Sequence, residues 1–299
     1  MAPTTTNGKT TASSSFAKTA HLLNCGIVSG LAQAAVFNPW DRALYLSVMH
    51  HRDFLHSANF KNPMAGVLQT ITQRAFSSGL YFPLEDIFAG LLIKHTDNNE
   101  TPGTQRAIRF TAGLLAGSTN GLLLNPFSSV KFYYWGKAEC GKESFFDTAK
   151  DMYKRGGVRC FFVGSAATVL RDLIFGGCFA LFRHEQLLLI RHENGEVKQP
   201  STARAFSVNA IAATCATLLS SPLNYVRVVH YATPPDVAPK KAWAILVELF
   251  QATSAEKTVL GKLGHLQNRL RIGWGTARVG FGMAFSAALY SYCTQSLAK

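Results

Sequence analysis

Residues 37–42 read FNPWDR, residues 124–129 read LNPFSS, and residues 221–226 read SPLNYV. Each lies at the end of a charge-free apolar run, and the prolines Pro39, Pro126 and Pro222 lie 87 and 96 residues apart. Thirteen and nine residues before them stand Gly26 and Gly30, Gly113 and Gly117, and Asn209 and Ala213. A pair of small residues four apart thus keeps its register in three places, which in an apolar helix lets backbones approach closely. A proline in a helix bends it and frees a carbonyl that must find another partner. The shared register points to an internal repeat, the first thing to settle in any chain.

Working outward, residues 19–40, 110–130, 205–226 and 279–298 contain no charge, and each is about 20 residues long, enough for a helix to cross a hydrocarbon layer. Two further apolar runs carry charge in their middle. Residues 76–93 hold Glu85 and Asp86, and residues 160–182 hold Arg171 and Asp172. Charge inside a span is expensive unless it faces a polar cavity or a partner, so these two runs are expected to line a wet interior. Short amphipathic segments at 63–76, 143–155 and 240–250 follow the proline-ended runs. The predicted fold is therefore an all-α membrane protein of six transmembrane helices, in three tandem units of helix, short surface helix and helix, with pseudo-threefold symmetry. The expected boundaries are an irregular segment over 1–18, then units over 19–98, 99–196 and 197–299.

Composition agrees with this reading. Of 299 residues 47% are hydrophobic and only 16% charged, below the ~25% of ordinary soluble domains, and the mean hydropathy is +0.08. The six cysteines form no C-x-x-C pair, which excludes a zinc ribbon and a secreted disulfide framework. Residues 1–18 are rich in Thr, Ser and Ala and have the acid-poor look of a mitochondrial transit segment or a plain tail. The net charge of +13 could point to nucleic acid. Its location argues otherwise: the segments 42–77, 131–159 and 227–278 carry +3, +3 and +5, against +1 each for 94–109 and 183–204. That asymmetry sets both termini on the less positive side of a membrane, with anionic lipid headgroups as the partner of the basic side.

Three tandem units with odd-numbered spans ending at a proline and a basic side resemble the mitochondrial carrier family, across residues 19–298. KRGGVRCFFVGSAATVLRDLIFGGCFALF (154–182) is similar to a family surface-helix end and the span after it, and WGTARVGFGMAFSAALY (274–290) is similar to the sixth span. The family signature, Pro-x-Asp/Glu-x-x-Lys/Arg, is only partly kept. Pro39 and Asp41 stand in place with Leu44 at the basic position; Pro126 and Lys131 stand with Ser128 at the acidic one; Pro222 and Arg227 stand with Asn224 there. The resemblance implies matrix-side closure by salt bridges between successive repeats, of which one pair, Asp41 with Lys131, is intact, while Arg227 faces Ser128. The opposite gate is also missing its motif, the corresponding places reading Phe182-Arg183-His184-Glu185 and Tyr290-Ser291-Tyr292-Cys293.

The same resemblance places solute contacts at Leu80, at Arg171 with Asp172, and at Arg278, and the Arg-Asp pair looks like that of carriers for amino acids. As sequence neighbours on a helix, Arg171 and Asp172 lie about 100° apart and are not expected to face each other. The alternative for Arg171 or Arg278 is a static ion pair with Glu85 or Asp86. Cardiolipin sites are implied at Gly156, Gly157 and Gly164, with Val163 where a basic residue is usual. Gly136 to Lys142 nearly matches a phosphate-binding loop, but Glu143 follows and a helix precedes, so the context fails. His50, His51 and His56 lack a recurrent metal spacing. No nucleophile–His–acid arrangement, metal site or cofactor motif is found, and the chain is read as non-enzymatic. Two functions follow from the resemblance: a mitochondrial inner-membrane carrier moving a small solute, an amino acid or carboxylate, by alternating access, with both termini in the intermembrane space; or a transport-inactive carrier fold serving as a structural subunit of a large inner-membrane complex.

Overall fold

The computed structural model describes residues 8–94, 102–137, 144–194 and 202–296. Those residues are helical, without strands among them. The long elements are α1 (Gly8–Met49), α2 (Val67–Lys94), α3 (Pro102–Leu123), α6 (Ser165–Asn194), α7 (Thr202–Ala232) and α10 (Trp274–Ser296). Shorter ones are α4 (Asn125–Gly136), α5 (Phe145–Gly156), α8 (Ala242–Ser254) and α9 (Val259–Leu270), with 3-10 turns at Ser57–Phe60 and Val158–Phe162. The long helices form a closed ring: α1 lies against α2, α2 against α3, α3 against α6, α6 against α7, α7 against α10, and α10 against α1.

Several boundaries differ from the sequence expectation. Helix α1 begins at Gly8, inside the segment expected to be irregular over 1–18, because no proline or further glycine interrupts the run from Lys9 until Gly26. The expected surface helix at 63–76 is absent as a separate element. A turn through Gly66 leads directly into α2, and the 3-10 turn Ser57–Phe60 occupies the connection instead. The second surface helix forms as α5, its start fixed by a capping box in which Ser144 accepts from the Asp147 N–H and Asp147 accepts from Ser144. The third forms as α8, and α9 follows it unanticipated.

The three proline corners are built differently. Pro39 and Pro222 sit inside continuous helices, whereas Pro126 lies in the first turn of α4, after an interruption at Leu124, where its missing N–H is not required. The residue before the proline does the bracing. Buried Asn38 donates to the carbonyls of Pro63 (3.2 Å) and Ala65 (3.3 Å) and accepts from Thr70 (3.0 Å). Buried Asn125 donates to the carbonyls of Phe161 (2.8 Å) and Val163 (3.3 Å) and accepts from Thr168 (3.3 Å) and Tyr231 (2.7 Å). In each case the loop arrives through a glycine with positive φ, Gly66 at 75° and Gly164 at 78°, a conformation other residues adopt at a cost. Gly66 is doubly required, since a Cβ there would lie 2.4 Å from Trp135 Nε1. At the third corner Ser221 replaces Asn and Ala277 replaces Thr, and the Ser221 hydroxyl bonds back to Leu218 within its own helix.

Side chains on the ring's outer surface are apolar and exposed, among them Val36, Leu115, Leu123, Ile211, Leu219 and Phe281. One segment among the described residues, Phe206–Ala232, is by itself long and apolar enough to cross a membrane.

Replacing Asn125 by Ala leaves the Tyr231 hydroxyl and two loop carbonyls short of partners, an expected loss of about 1–3 kcal/mol. Ser221→Ala, which removes only a bond internal to a helix, is expected to change stability by about 0.5 kcal/mol or less. Thermal unfolding of the detergent-solubilised protein separates the two; equal effects would mean that the Asn125 brace is not stabilising.

Candidate functional site

Charge concentrates inside the ring. The carboxylate of Asp41 on α1 pairs with the guanidinium of Arg278 on α10. Arg278 is buried, its guanidinium carbon 5.1 Å from the centroid of the Phe37 ring, and Gly282 makes room for it, since a Cβ there would lie 3.0 Å from Arg278 Nη1 and 2.8 Å from Gln33 Nε2. Of the static partners considered for Arg278, Asp86 is thus replaced by Asp41, and the side chain of Glu85 lies outside the described residues. On α6, Arg171 pairs with its neighbour Asp172. Their backbones diverge as expected, but the arginine is long enough to fold back, and its guanidinium carbon lies 5.9 Å from the Phe175 ring centroid. Asp172 packs against α3 at Gly121, where a Cβ would meet Oδ2 at 2.5 Å. The side chains of Arg171 and Asp172 remain 28% and 20% exposed, against 7% for Arg278. Water and small solutes therefore reach the α6 pair more readily than the α10 arginine. Leu80 on α2 is half-buried.

Arg74 on α2 completes this level. It is exposed, yet within electrostatic reach of Arg278, Asp41, Arg171 and Asp172. The sequence reading missed it by assigning residues 63–76 to a surface helix. Once α2 is continuous from Val67, Arg74 stands less than two turns before Leu80.

At one end α1, α4 and α7 converge. The pair implied by the resemblance, Asp41 with Lys131, is not formed, because Asp41 is taken by Arg278. Lys131 Nζ donates instead to Gln73 Oε1 (3.0 Å), and Gln73 Nε2 donates to Ser128 Oγ (2.7 Å). Lys131 also lies over the rings of Phe132 and Trp135, 4.9 and 5.0 Å from their centroids, favourable for a cation. Arg227 does not reach across to Ser128; its Nη2 donates to Asn224 Oδ1 on the same helix (2.9 Å). What joins the three helices here is an aromatic layer of Tyr45, Phe132, Trp135 and Tyr231 with Val228. Tyr45 and Phe132 lie 4.9 Å apart, and Phe132 stacks on Tyr231 at 4.9 Å. Leu44 is buried nearby. Arg271, after α9, adopts a left-handed backbone (φ 59°) and lies within electrostatic reach of Arg227, Asp41 and Tyr45. No sequence signal marked it, because the turn that aims it inward depends on α9.

The glycines assigned to lipid have local structural reasons. A Cβ on Gly156 would lie 2.3 Å from the Pro235 carbonyl oxygen, and Gly157 and Gly164 have φ of 61° and 78°. At the opposite end Phe182 and Tyr290 are half-buried and Tyr292 is exposed; the side chains of Arg183, His184 and Glu185 lie outside the described residues. So do residues 138–143 of the near phosphate-loop match. His56 caps the 3-10 turn at Ser57, and His51 contacts Arg269.

The family profile described as mitochondrial carrier protein matches residues 104–192. The chain is 26% identical to a mitochondrial glycine transporter of Yarrowia lipolytica, over 75% of this chain and 80% of that one. It is 23% identical to a mitochondrial glycine transporter of Emericella nidulans, over 87% and 84%. With the rat mitochondrial carnitine/acylcarnitine carrier protein the identity is 24% over 48% of both chains. A helical ring with charged residues turned inward is thus joined to a similarity to the mitochondrial carrier family, by its profile over residues 104–192 and by relatives at 23–26% identity.

Asp41→Asn leaves the Arg278 charge without its carboxylate and, with Asp41 itself 28% exposed, is expected to destabilise by about 1–3 kcal/mol. The double variant Asp41→Asn with Arg278→Gln is expected to recover part of that loss. Denaturant unfolding of the single and double variants measures the coupling; additive losses would show that the pair is not joined.

Proposed function

We propose that the chain is a solute carrier of the mitochondrial inner membrane, whose six long helices are the membrane spans and whose units over 19–98, 99–196 and 197–299 are three repeats related by pseudo-threefold symmetry. The exposed apolar side chains on the outside of the ring fit acyl chains, and polar residues turned inward lower the hydropathy of the helices that carry them. The basic segments face the matrix and both termini the intermembrane space. Cardiolipin is the proposed lipid at the turns of Gly156, Gly157 and Gly164.

The solute is a small amino acid or carboxylate, moved by alternating access. The observation that carries this reading is the Arg171–Asp172 pair, a cation and an anion side by side, partly exposed inside the ring. An ammonium and a carboxylate on one small molecule could exchange with that pair, the solute carboxylate taking Arg171 and its ammonium Asp172. The two relatives named as glycine transporters fit a zwitterionic solute. Arg74 and Leu80 line the approach from α2, and Arg278, sealed by Asp41, holds the ring together.

A second reading, a carrier fold retained as a subunit of an inner-membrane complex, draws on the aromatic layer joining α1, α4 and α7. That layer replaces ion pairs, which part readily once water returns.

Uptake into proteoliposomes decides between the two. The carrier reading expects glycine or another small amino acid or carboxylate to exchange against internal solute, and Arg171→Gln or Asp172→Asn to lower exchange by about tenfold or more, the loss of one charge-assisted hydrogen bond. Exchange unchanged in both variants would remove the site. No exchange with any solute, together with co-migration with a large assembly in native electrophoresis, would favour the subunit reading.

A further inference from the structure

Inside the ring, cations outnumber acids. Among the described residues Arg74, Lys131, Arg171, Arg227, Arg271 and Arg278 feel one another's charge, and the acids among them are Asp41 and Asp172. Both acids are committed, Asp41 to Arg278 and Asp172 to Arg171. The three cations at the closed end are left with neutral partners at best. Lys131 has the Gln73 amide and Arg227 the Asn224 amide, and the Nε and Nη2 atoms of Arg271 are buried with no partner. Arg227 Nε is likewise buried and unpartnered.

The two bare nitrogens of Arg271 define a chemistry. Nε–H and one Nη2–H lie on the same edge of a guanidinium and point in parallel, the spacing that takes two oxygens of a carboxylate or phosphate. Buried donors left without an acceptor cost free energy, and repulsion between neighbouring cations adds to it. Both costs vanish if an oxyanion sits on that edge.

We propose that the closed end of the ring binds an oxyanion of the carboxylate or phosphate class, on the Nε–Nη2 edge of Arg271 with Arg227 beside it, as a removable counter-ion where positions 128 and 224 carry no fixed acid. The site stands on charge and geometry at the closed end and does not depend on transport. Its occupant is either a free inorganic anion or the carboxylate of a passing solute.

The test uses the full chain purified in detergent in chloride buffer. Its thermal midpoint is followed during titration with phosphate, sulfate, acetate or glycine at constant ionic strength. A saturable rise with phosphate or sulfate assigns the site to a free inorganic anion; a rise with acetate or glycine alone assigns it to a solute carboxylate. Arg271→Lys keeps the charge but loses the parallel edge, and is expected to weaken the response by about tenfold or more. Asn224→Asp, which supplies a fixed acid, is expected to raise the midpoint without added anion and to abolish the response; it decides the matter if Arg271→Lys fails to fold. Arg155→Lys, at an exposed surface arginine on α5, serves as the control and is expected to respond like the wild type. No response to any anion, an equal response in Arg271→Lys, or an undiminished response in Asn224→Asp overturns the proposal. Because binding is read without vesicles, its failure is separable from a failure of solute exchange.

Discussion

Every neighbour contact in the ring but one joins helices that follow each other among the long elements, α1 to α2 and onward to α10. The remaining contact joins α10 back to α1, the two ends of the ring. At that seam Asp41 meets Arg278, buried beside Phe37 and admitted by the bare backbone of Gly282. With one member buried, the pair is stable only while both charges stay together, so the seam tolerates little displacement. Using Asp41 here has consequences elsewhere. Lys131 must find Gln73 in place of a carboxylate, and the helices at the closed end are joined through rings instead of charges.

How much of this could be read from the sequence follows from the range over which each signal acts. The proline and small-residue register is local to each helix and marked α1, α3 and α7 directly. The amphipathic period marked α5 and α8, but it did not separate a surface helix at 63–76 from the first turns of α2, because both have the same apolar spacing. Arg171 and Asp172 stood out as charges within an apolar run, and Asp41 and Arg278 were marked by the family resemblance. Their pairing was not, since Asp41 and Arg278 are separated by almost the whole chain and the reach of an arginine side chain leaves no mark in spacing. Arg74 and Arg271 were hidden for a related reason: each lies in a segment read as surface, and only the actual course of α2 and the turn after α9 bring them inside.

The aromatic layer at the closed end and the charged level around Arg171 obey different physics. Rings of Tyr45, Phe132, Trp135 and Tyr231 hold by excluding water, a force that grows with contact area and is not screened by salt as charge pairs are. The charges near Arg171, Arg74 and Arg227 respond to any ion that enters. A chain with both can keep one end shut while its interior remains sensitive to solute charge.

The unequal corners carry a mechanical consequence. Asn38 and Asn125 each lock the loop after a proline to the helix before it, whereas Ser221 is turned back on its own helix and Ala277 offers no hydroxyl. Two corners are triangulated and the third is a simple bend. A ring of this kind is anisotropic under load: strain applied evenly around it concentrates at the Ser221 corner, which has the fewest bonds to break.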